Sequence, residues 1–231
     1  MRRRQRRDRA PALRPREEKP VHLLRPEFAF VLTLLAAFCE APPLAHAQGV
    51  RLNEILAGPA RDWDGSGAFS SRDDEWIEIA NAGTAVADLS GFFVTDGDTL
   101  PRYAFSGALA PGAVLLVTGK MSYDWERANG HPAFGLSLGN SGDTVLLWQV
   151  SGADTALVDT YTYRSHEAAA DRACGRAIDV AAWQLFDALN PYTGTLLPQG
   201  NLCAPTPGAL NTCTSTPARP TSWGRVKTLL R

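Results

Sequence analysis

Hydrophobic and polar residues alternate in short runs along much of the chain, and the clearest run covers residues 75–81. In this run Ile77 and Ile79 face one side, while Trp76 and Glu78 face the other. A period of two residues predicts a half-buried β-strand. The following Asn-Ala-Gly sequence is typical of a turn, so the strand is expected to end there.

Comparable runs recur at fairly even spacing, and clusters of Gly, Pro, Asp and Ser separate them. Many short strands with regular turn signals predict an all-β fold, either a β-sandwich or a barrel. The predicted strands cover residues 50–56, 75–81, 91–95, 102–105, 113–118, 144–150 and 157–163.

The apolar residues of these runs define a predicted interior. Their alternation places every second side chain on the buried face of its strand. The expected core consists of Ile55, Ile77, Ile79, Leu89, Phe92, Val94, Phe105, Val114, Leu116, Leu138, Val145, Leu147 and Val158.

Three segments depart from the strand pattern. Residues 121–132 predict a short helix, with Ser122 as its N-cap and Asn129-Gly130 at its end. Residues 167–182 are rich in alanine and partly charged, which indicates a helix or a loose arm around the sandwich. From residue 203 onward, four prolines favour an extended chain.

Several short motifs follow one another in a fixed order along the chain. They are Leu52-Asn53-Glu54-Ile55, residues 75–81, Asp88-Leu89-Ser90-Gly91-Phe92, residues 109–112, residues 138–147, Asp159-Thr160-Tyr161 and a late segment of residues 205–211. Together these motifs resemble the lamin tail domain family, whose closing segment residues 205–211 also fit. Each motif is weak alone, but the order of the first six along residues 50–163 makes the resemblance specific. Phe92-Phe93 stands where the family often has Trp, a change that keeps an aromatic side chain.

This resemblance implies an immunoglobulin-like β-sandwich of the lamin-tail type, followed by an irregular C-terminal extension. The expected domains are residues 48–165 for the sandwich, 166–213 for a Cys-containing extension and 214–231 for a basic tail. The resemblance also implies a non-catalytic role. Bacterial members often accompany exported enzymes, and nuclear members serve as platforms for protein interaction.

Residues 1–47 have the organisation of a secretory signal peptide. A leader with ten Lys or Arg residues precedes an apolar run at residues 28–38, and Ala45-His46-Ala47 provides an A-x-A cleavage site. The apolar run is about half the length of a spanning helix, so no transmembrane segment is expected in the mature chain. The predicted localisation is secreted, periplasmic or cell-surface.

Removal of the leader changes the charge of the chain. The whole sequence has 23 Lys and Arg against 24 Asp and Glu, a net charge of −1. Residues 48–231 retain 13 basic and 19 acidic residues, a net charge of −6. Because a surface of this sign repels phosphate backbones, nucleic acid is an unlikely partner. A protein or a cell-surface polymer is expected instead.

Three cysteines remain after the leader, and an exported protein is expected to pair two of them. The favoured disulfide joins Cys174 to Cys203, and a bond from Cys174 to Cys213 is nearly as well supported. No C-x-x-C motif is present, so neither a zinc site nor a redox motif is indicated.

One acidic, Gly-rich segment is a candidate calcium site. Alternating oxygen ligands around a glycine turn suit a hard cation, with a later carboxylate completing the shell. The alternative is a hairpin loop whose Asp side chains bond their own backbone. The candidate ligands are Asp62, Asp64, Ser66, Asp73 and Asp74.

Aromatic residues on or near predicted loops are candidate contacts for a partner, because a flat apolar ring stacks on sugars or packs against proteins at low entropic cost. Alternatively, each ring covers an edge of the sandwich, which is favoured for Trp183. Trp223 belongs to the basic tail, where it forms either a docking peptide or a final packed segment. The candidate contacts are Trp63, Tyr123, Trp125 and Trp223.

Catalytic motifs have little support in this sequence. It contains no Gly-x-Ser-x-Gly motif, and only His131 and His166 follow the leader. The predicted function is therefore an exported, non-catalytic module for protein interaction or cell-surface structure, with no required cofactor. Two alternatives are a calcium-dependent or carbohydrate-binding adhesion module and an unrecognised extracellular hydrolase that uses His166 or a carboxylate pair.

Overall fold

A computed structural model describes residues 49–177 and 182–213. The predicted signal peptide, residues 178–181, the basic tail and Trp223 lie outside the described residues. Within the described residues, no helix is both long enough and apolar enough to cross a membrane.

The described chain consists of short strands with a single helix, as the alternating pattern predicts. The strands are β1 (Val50–Leu56), β2 (Trp76–Asn81), β3 (Ala87–Asp88), β4 (Phe92–Thr95), β5 (Pro101–Ala104), β6 (Ala108–Leu109), β7 (Val114–Thr118), β8 (Gly142–Ser151), β9 (Asp154–Arg164), β10 (Ala173–Arg176) and β11 (Trp183–Phe186), and the helix is α1 (Gly119–Ala128).

Two antiparallel sheets form the body of the fold. The larger has the order β11-β10-β1-β2-β7, the smaller has the order β5-β4-β8-β9, and β3 pairs with β6 as a separate ribbon. Ile77 and Ile79 of the larger sheet and Val145 and Leu147 of the smaller sheet share one buried core. The predicted β-sandwich is therefore confirmed, with its core between the two facing sheets.

Most of the predicted interior is buried in this core, but β7 is turned the other way. Val117 is fully buried in the core and Leu115 packs against it. They lie opposite Ile77 and Ile79 in the antiparallel register. Val114 and Leu116 alternate with them and are only half-buried, so their placement in the core was wrong. The run Val-Leu-Leu-Val is apolar on both faces, so its pattern does not specify which face is inside.

A β-bulge explains the spacing of Leu52-Asn53-Glu54-Ile55. Strict alternation would place Leu52 and Ile55 on opposite faces, yet both are buried in the core. The pairing of β1 with β2 shifts between Leu52 and Glu54. The extra residue at the bulge lets Asn53 and Glu54 both reach the outer face of the larger sheet.

The outer face of the larger sheet is buried as well. All six residues of β2 are buried, so the prediction of a half-buried strand was wrong. A second apolar cluster covers this face, and the described C-terminal segment contributes Phe186 and Cys203 to it. The other buried members are Leu56, Trp76 and Ala173, with Trp63 and Leu116 packed against them.

The C-terminal extension is irregular over much of its length but also completes the larger sheet. Residues 167–177, expected as a helix or a loose arm, instead contain strand β10. Strand β10 pairs with β1 through Glu54 and Gly175, and β11 pairs with β10. The sheet therefore continues past residue 165, where the sandwich was expected to end.

The disulfide joins Cys203 to Cys213, with a Cα–Cα distance of 5.7 Å. Cys174 is a buried free thiol. The predicted bond from Cys174 to Cys203 was therefore wrong, as was its alternative to Cys213. Cys174 lies in β10 with its side chain in the core between the sheets, whereas Cys203 belongs to the cluster on the opposite face of the larger sheet. The sheet itself separates the two sulfur atoms.

Helix α1 begins earlier than predicted. Thr118 is its N-cap and accepts a hydrogen bond from the Met121 N–H. Ser122, the predicted cap, is buried, and its hydroxyl donates to the Arg102 carbonyl at 2.8 Å. The helix ends at Asn129, as expected. A buried ion pair from Arg102 to Glu126 at 3.1 Å also fastens the helix to β5.

Candidate functional site

The Asp-rich loop brings three of its predicted calcium ligands together. One carboxylate oxygen from each of Asp62, Asp64 and Asp74 lies within 4.8 Å of the others. The other two predicted ligands, Ser66 and Asp73, are engaged locally. Asp73 forms an ion pair with Arg72 at 2.7 Å, and the Ser66 hydroxyl donates to the Ala68 carbonyl at 3.0 Å.

Backbone N–H groups already bond these carboxylates. Asp74 is fully buried and accepts hydrogen bonds from the N–H groups of Trp63, Asp64 and Ser70. Asp62 accepts from the N–H groups at positions 65, 66 and 67. The loop therefore also matches the alternative interpretation, in which its Asp side chains stabilise the turn itself.

Trp63 packs inward from this loop. Its ring meets Trp76 edge to face, with centroids 6.2 Å apart. Its indole N–H donates to Asp171 at 2.9 Å, and the Arg61 guanidinium lies 5.6 Å from the ring. Trp63 therefore packs against the second cluster on the outer face of the larger sheet and is partly buried there.

Tyr123 and Trp125 both lie on helix α1 and are half-buried. The Arg72 guanidinium lies 4.1 Å from the centroid of the Tyr123 ring. Trp125 stacks on His131, with centroids 5.0 Å apart and the rings 14° from parallel. This stacked pair forms one side of a groove of about 270 Å³.

The groove opens onto the outer face of the smaller sheet. Phe93 and Ala104 line it from adjacent strands. The Phe93 ring in turn stacks on Trp148, with centroids 6.3 Å apart. Trp148 is held in place because its indole N–H donates to the Thr95 hydroxyl at 3.1 Å.

These residues belong to an apolar row that crosses all four strands of the smaller sheet. Register pairs join Ala104 to Phe93, Phe93 to Trp148 and Trp148 to Leu157. Leu157 is 45% exposed, and Val150 beside the row is 40% exposed. We call this surface, made of Phe93, Ala104, Trp148, Val150 and Leu157, the aromatic face. Its neighbour Trp125 was predicted from the sequence as a contact residue, but the face itself was not predicted.

A larger groove of about 590 Å³ lies beside β11 and is lined by Trp183, Leu197 and Gln199, among others. The Trp183 ring stacks on Tyr161 at 3.7 Å and packs against the core. The prediction that Trp183 is a packing residue is therefore confirmed.

Two glutamates lie buried on the outer face of the larger sheet. Burial raises the pKa of Glu54 to about 8, although hydrogen bonds from Thr206 oppose the rise. Burial likewise raises the pKa of Glu78 to about 7, against hydrogen bonds from Asn53 and from backbone N–H groups. Neither residue had a predicted role, although both occur in the motifs that carry the family resemblance.

The candidate catalytic histidines do not form a reactive pair in the described region. The ring nitrogens of His166 are buried without a hydrogen-bond partner, and its ring packs on Tyr192 at 4.9 Å. His131 stacks on Trp125. A histidine that activates a nucleophile needs a hydrogen bond to it, so this geometry does not support the form of the hydrolase alternative that uses His166.

The two antiparallel sheets and their shared core place the described residues in a class of protein, the immunoglobulin-like β-sandwich modules. The Lamin Tail Domain family model matches residues 44–165, which is more than half of the chain. The protein therefore belongs to the lamin tail domain family, whose domains are non-catalytic modules. No curated protein and no solved structure gives a significant match.

Proposed function

We propose that this protein is an exported, non-catalytic interaction module that binds its partner through the aromatic face. The observation that carries the proposal is the contrast between the two outer faces of the sandwich. The chain covers the outer face of the larger sheet with its own second cluster. The aromatic face has no comparable cover among the described residues and keeps Val150 and Leu157 exposed.

An exposed apolar surface with aromatic side chains is the composition found at the centre of protein interfaces. Phe93 and Trp148 offer a large contact area, and their orientation is already fixed by their mutual stacking and by the bond from Trp148 to Thr95. Little side-chain entropy is then lost on binding. The groove beside Trp125 offers a recess for one anchoring side chain of the partner.

Export is supported by the signal-peptide organisation of residues 1–47 and by the disulfide, which is typical of proteins outside the reducing cytoplasm. The described residues carry 18 acidic and 9 basic side chains, which disfavours a nucleic-acid partner. The partner we propose is a protein of the cell envelope, and a cell-surface polymer is the competing outcome of the test.

The test measures binding of labelled mature protein to envelope fractions of the source cells. Trp148→Ser and Leu157→Ser are expected to weaken binding about 10-fold or more, because each removes a central apolar contact. Leu197→Ser is the matched control, since Leu197 is 74% exposed and lies outside the aromatic face. Its binding should stay within about twofold of the wild type.

Treating the envelopes with protease separates the two partner classes. Loss of binding after protease supports a protein partner, whereas retained binding indicates a surface polymer. Equal binding by the wild type, Trp148→Ser and Leu197→Ser would exclude the aromatic face as the contact surface.

A calcium-dependent adhesion module is the second candidate, and the convergence of Asp62, Asp64 and Asp74 favours it. A bound ion that does not bind the unfolded chain must raise the melting temperature. Calcium should therefore stabilise the wild type but not Asp64→Asn, while Asp154→Asn, an exposed control, should respond like the wild type. An unchanged melting temperature in millimolar calcium and in chelator rules this candidate out.

A further inference from the structure

The described C-terminal segment is bound to the larger sheet in the manner of a peptide ligand. Thr206 donates to Glu54 through its N–H at 3.2 Å and through its hydroxyl at 2.7 Å. The N–H of Gly208 donates to Glu78 at 2.7 Å. Each buried glutamate thus receives a backbone donor from the segment, as an acceptor in a peptide-binding site would.

Asn211 completes this contact at the β-bulge. Its side-chain amide donates to the Asn53 carbonyl at 3.1 Å, and its side-chain oxygen accepts from the Asn53 amide at 2.9 Å. The Asn53 amide also donates to Glu78 at 2.6 Å. Asn211 is 1% exposed, so this reciprocal pair is shielded from water.

The sheet also provides the space in which the segment lies. Gly175 is the register partner of Glu54. A Cβ atom on Gly175 would lie 2.5 Å from the Asn211 amide nitrogen. We call the surface formed by Asn53, Glu54, Glu78 and Gly175 the socket. Three positions of the sequence Thr-Pro-Gly-Ala-Leu-Asn form hydrogen bonds with the socket, namely Thr206, Gly208 and Asn211. Asn211 also fills the space beside Gly175 that a larger side chain would occupy.

The disulfide closes around this same segment. Cys203 and Cys213 flank the residues that occupy the socket, ten positions apart. Cys203 itself is buried in the second cluster and so fixes one end of the loop. In the chain-entropy model the disulfide limits the conformations that residues 204–212 gain on release. Release from the socket is therefore less favourable in the oxidised chain than in the reduced chain.

We propose that the socket is a binding site for Thr-Pro-Gly-x-x-Asn segments. In the oxidised chain, residues 204–212 of the same chain occupy it. Once the Cys203–Cys213 bond is reduced, the same segment of a second copy of this chain can occupy it instead. A dithiol reductant supplies two electrons and two protons. The sulfur–sulfur bond breaks, two cysteine thiols form, and the reductant becomes a cyclic disulfide. The inference is independent of the aromatic face.

The experiment uses the full mature chain and a labelled synthetic peptide of residues 204–212, which contains no cysteine. The reduced protein should bind the peptide, and the oxidised protein should not. Amide hydrogen exchange at residues 206–211 should become about 100-fold faster on reduction, the factor expected when a loop of this length loses its disulfide. Reduced samples should also form a dimer that excess peptide disperses.

A peptide with Asn211→Ala is the matched ligand control and should bind at least about 10-fold more weakly. Exchange at β2 and β8 amides must stay slow on reduction, which shows that the sandwich remains folded. Global unfolding on reduction, equal binding by the two redox states, or unchanged exchange at residues 206–211 would each overturn the proposal. A Thr206→Val variant provides a second test. It weakens the contact of residues 204–212 with the socket, so the reduced variant should bind the peptide more tightly than the reduced wild type.

Discussion

At the scale of single residues, the main feature is a pair of buried glutamates. Glu54 and Glu78 occur in the motifs of the family and face away from the core between the sheets. Among the described residues, their carboxylates are bonded by Thr206, Gly208 and Asn53 rather than by a basic side chain. Carboxylates that lack a cation partner in a dry site retain their protons to higher pH.

Glu54→Gln should make the protein less sensitive to alkaline pH. Burial raises the pKa of Glu54 from 4.5 to about 8, so between these values the folded chain holds a proton that the unfolded chain releases. The stabilisation from this group is complete below pH 4.5 and is lost as pH rises towards 8. Urea unfolding should therefore show the variant more stable than the wild type at pH 8, by at least about 1 kcal/mol, and little changed at pH 4.5.

The exposed Asp154→Asn is the control for this comparison and should show the same difference from the wild type at both pH values. If Glu54→Gln changed the free energy of unfolding equally at pH 4.5 and pH 8, the protonation of Glu54 would not be coupled to folding, and this prediction would be wrong.

At the scale of secondary-structure elements, the main finding is which side of β7 faces the core. Val117 and Leu115 pair across the ladder with Ile77 and Ile79. The pairing fixes which side of β7 is inside, although the strand alone is apolar on both sides. The two faces of the neighbouring strand β2 differ, because one carries Ile77 and Ile79 and the other carries Trp76 and Glu78. Pairing with β2 therefore determines the inward side of β7.

Two matched substitutions in β7 test this orientation. Val117→Ala should lower the free energy of unfolding by about 2 to 3 kcal/mol, because it leaves a cavity in the core. Val114→Ala removes the same atoms from a half-buried position on the outer face and should cost about 1 kcal/mol or less. Denaturant unfolding of the two variants measures the difference, and the reverse order of the two costs would show that β7 is inverted.

At the scale of the whole molecule, the fold extends beyond the part of the chain that matches the family. Strand β10 pairs with the inner strand β1, and the C-terminal segment occupies the socket on the outer face. Without them β1 becomes an unpaired edge, and Trp76 and Leu56 become exposed to water.

A chain of residues 48–165 should therefore fail to form the native sandwich, whereas residues 48–213 should fold like the mature protein. Near-ultraviolet circular dichroism and thermal unfolding report on the fixed environments of the tryptophans and on cooperativity. A cooperative, native-like transition for residues 48–165 would show that the extension is dispensable. The longer chain serves as the positive control.

Candidate sites were predictable where their residues are close in sequence. Asp62, Asp64 and Asp74 share one loop, so their convergence followed from spacing. The aromatic face was missed because Phe93, Trp148 and Leu157 come from three strands and meet only through pairing. Glu54 and Glu78 were recognisable as parts of sequence motifs, but their partners Thr206 and Gly208 are more than 100 residues away.

The period of two residues and the turn signals were sufficient to indicate the β-sandwich and most of its core, because alternation reflects the local geometry of a strand. The inward face of β7, the Cys203–Cys213 bond and the cover over the outer face of the larger sheet depended on contacts between distant segments. A strand that is apolar on both sides, or a polar side chain that is buried with a remote partner, carries no local sign of its environment. Such features are therefore specified by packing across the sheets and around the sandwich rather than by the local pattern.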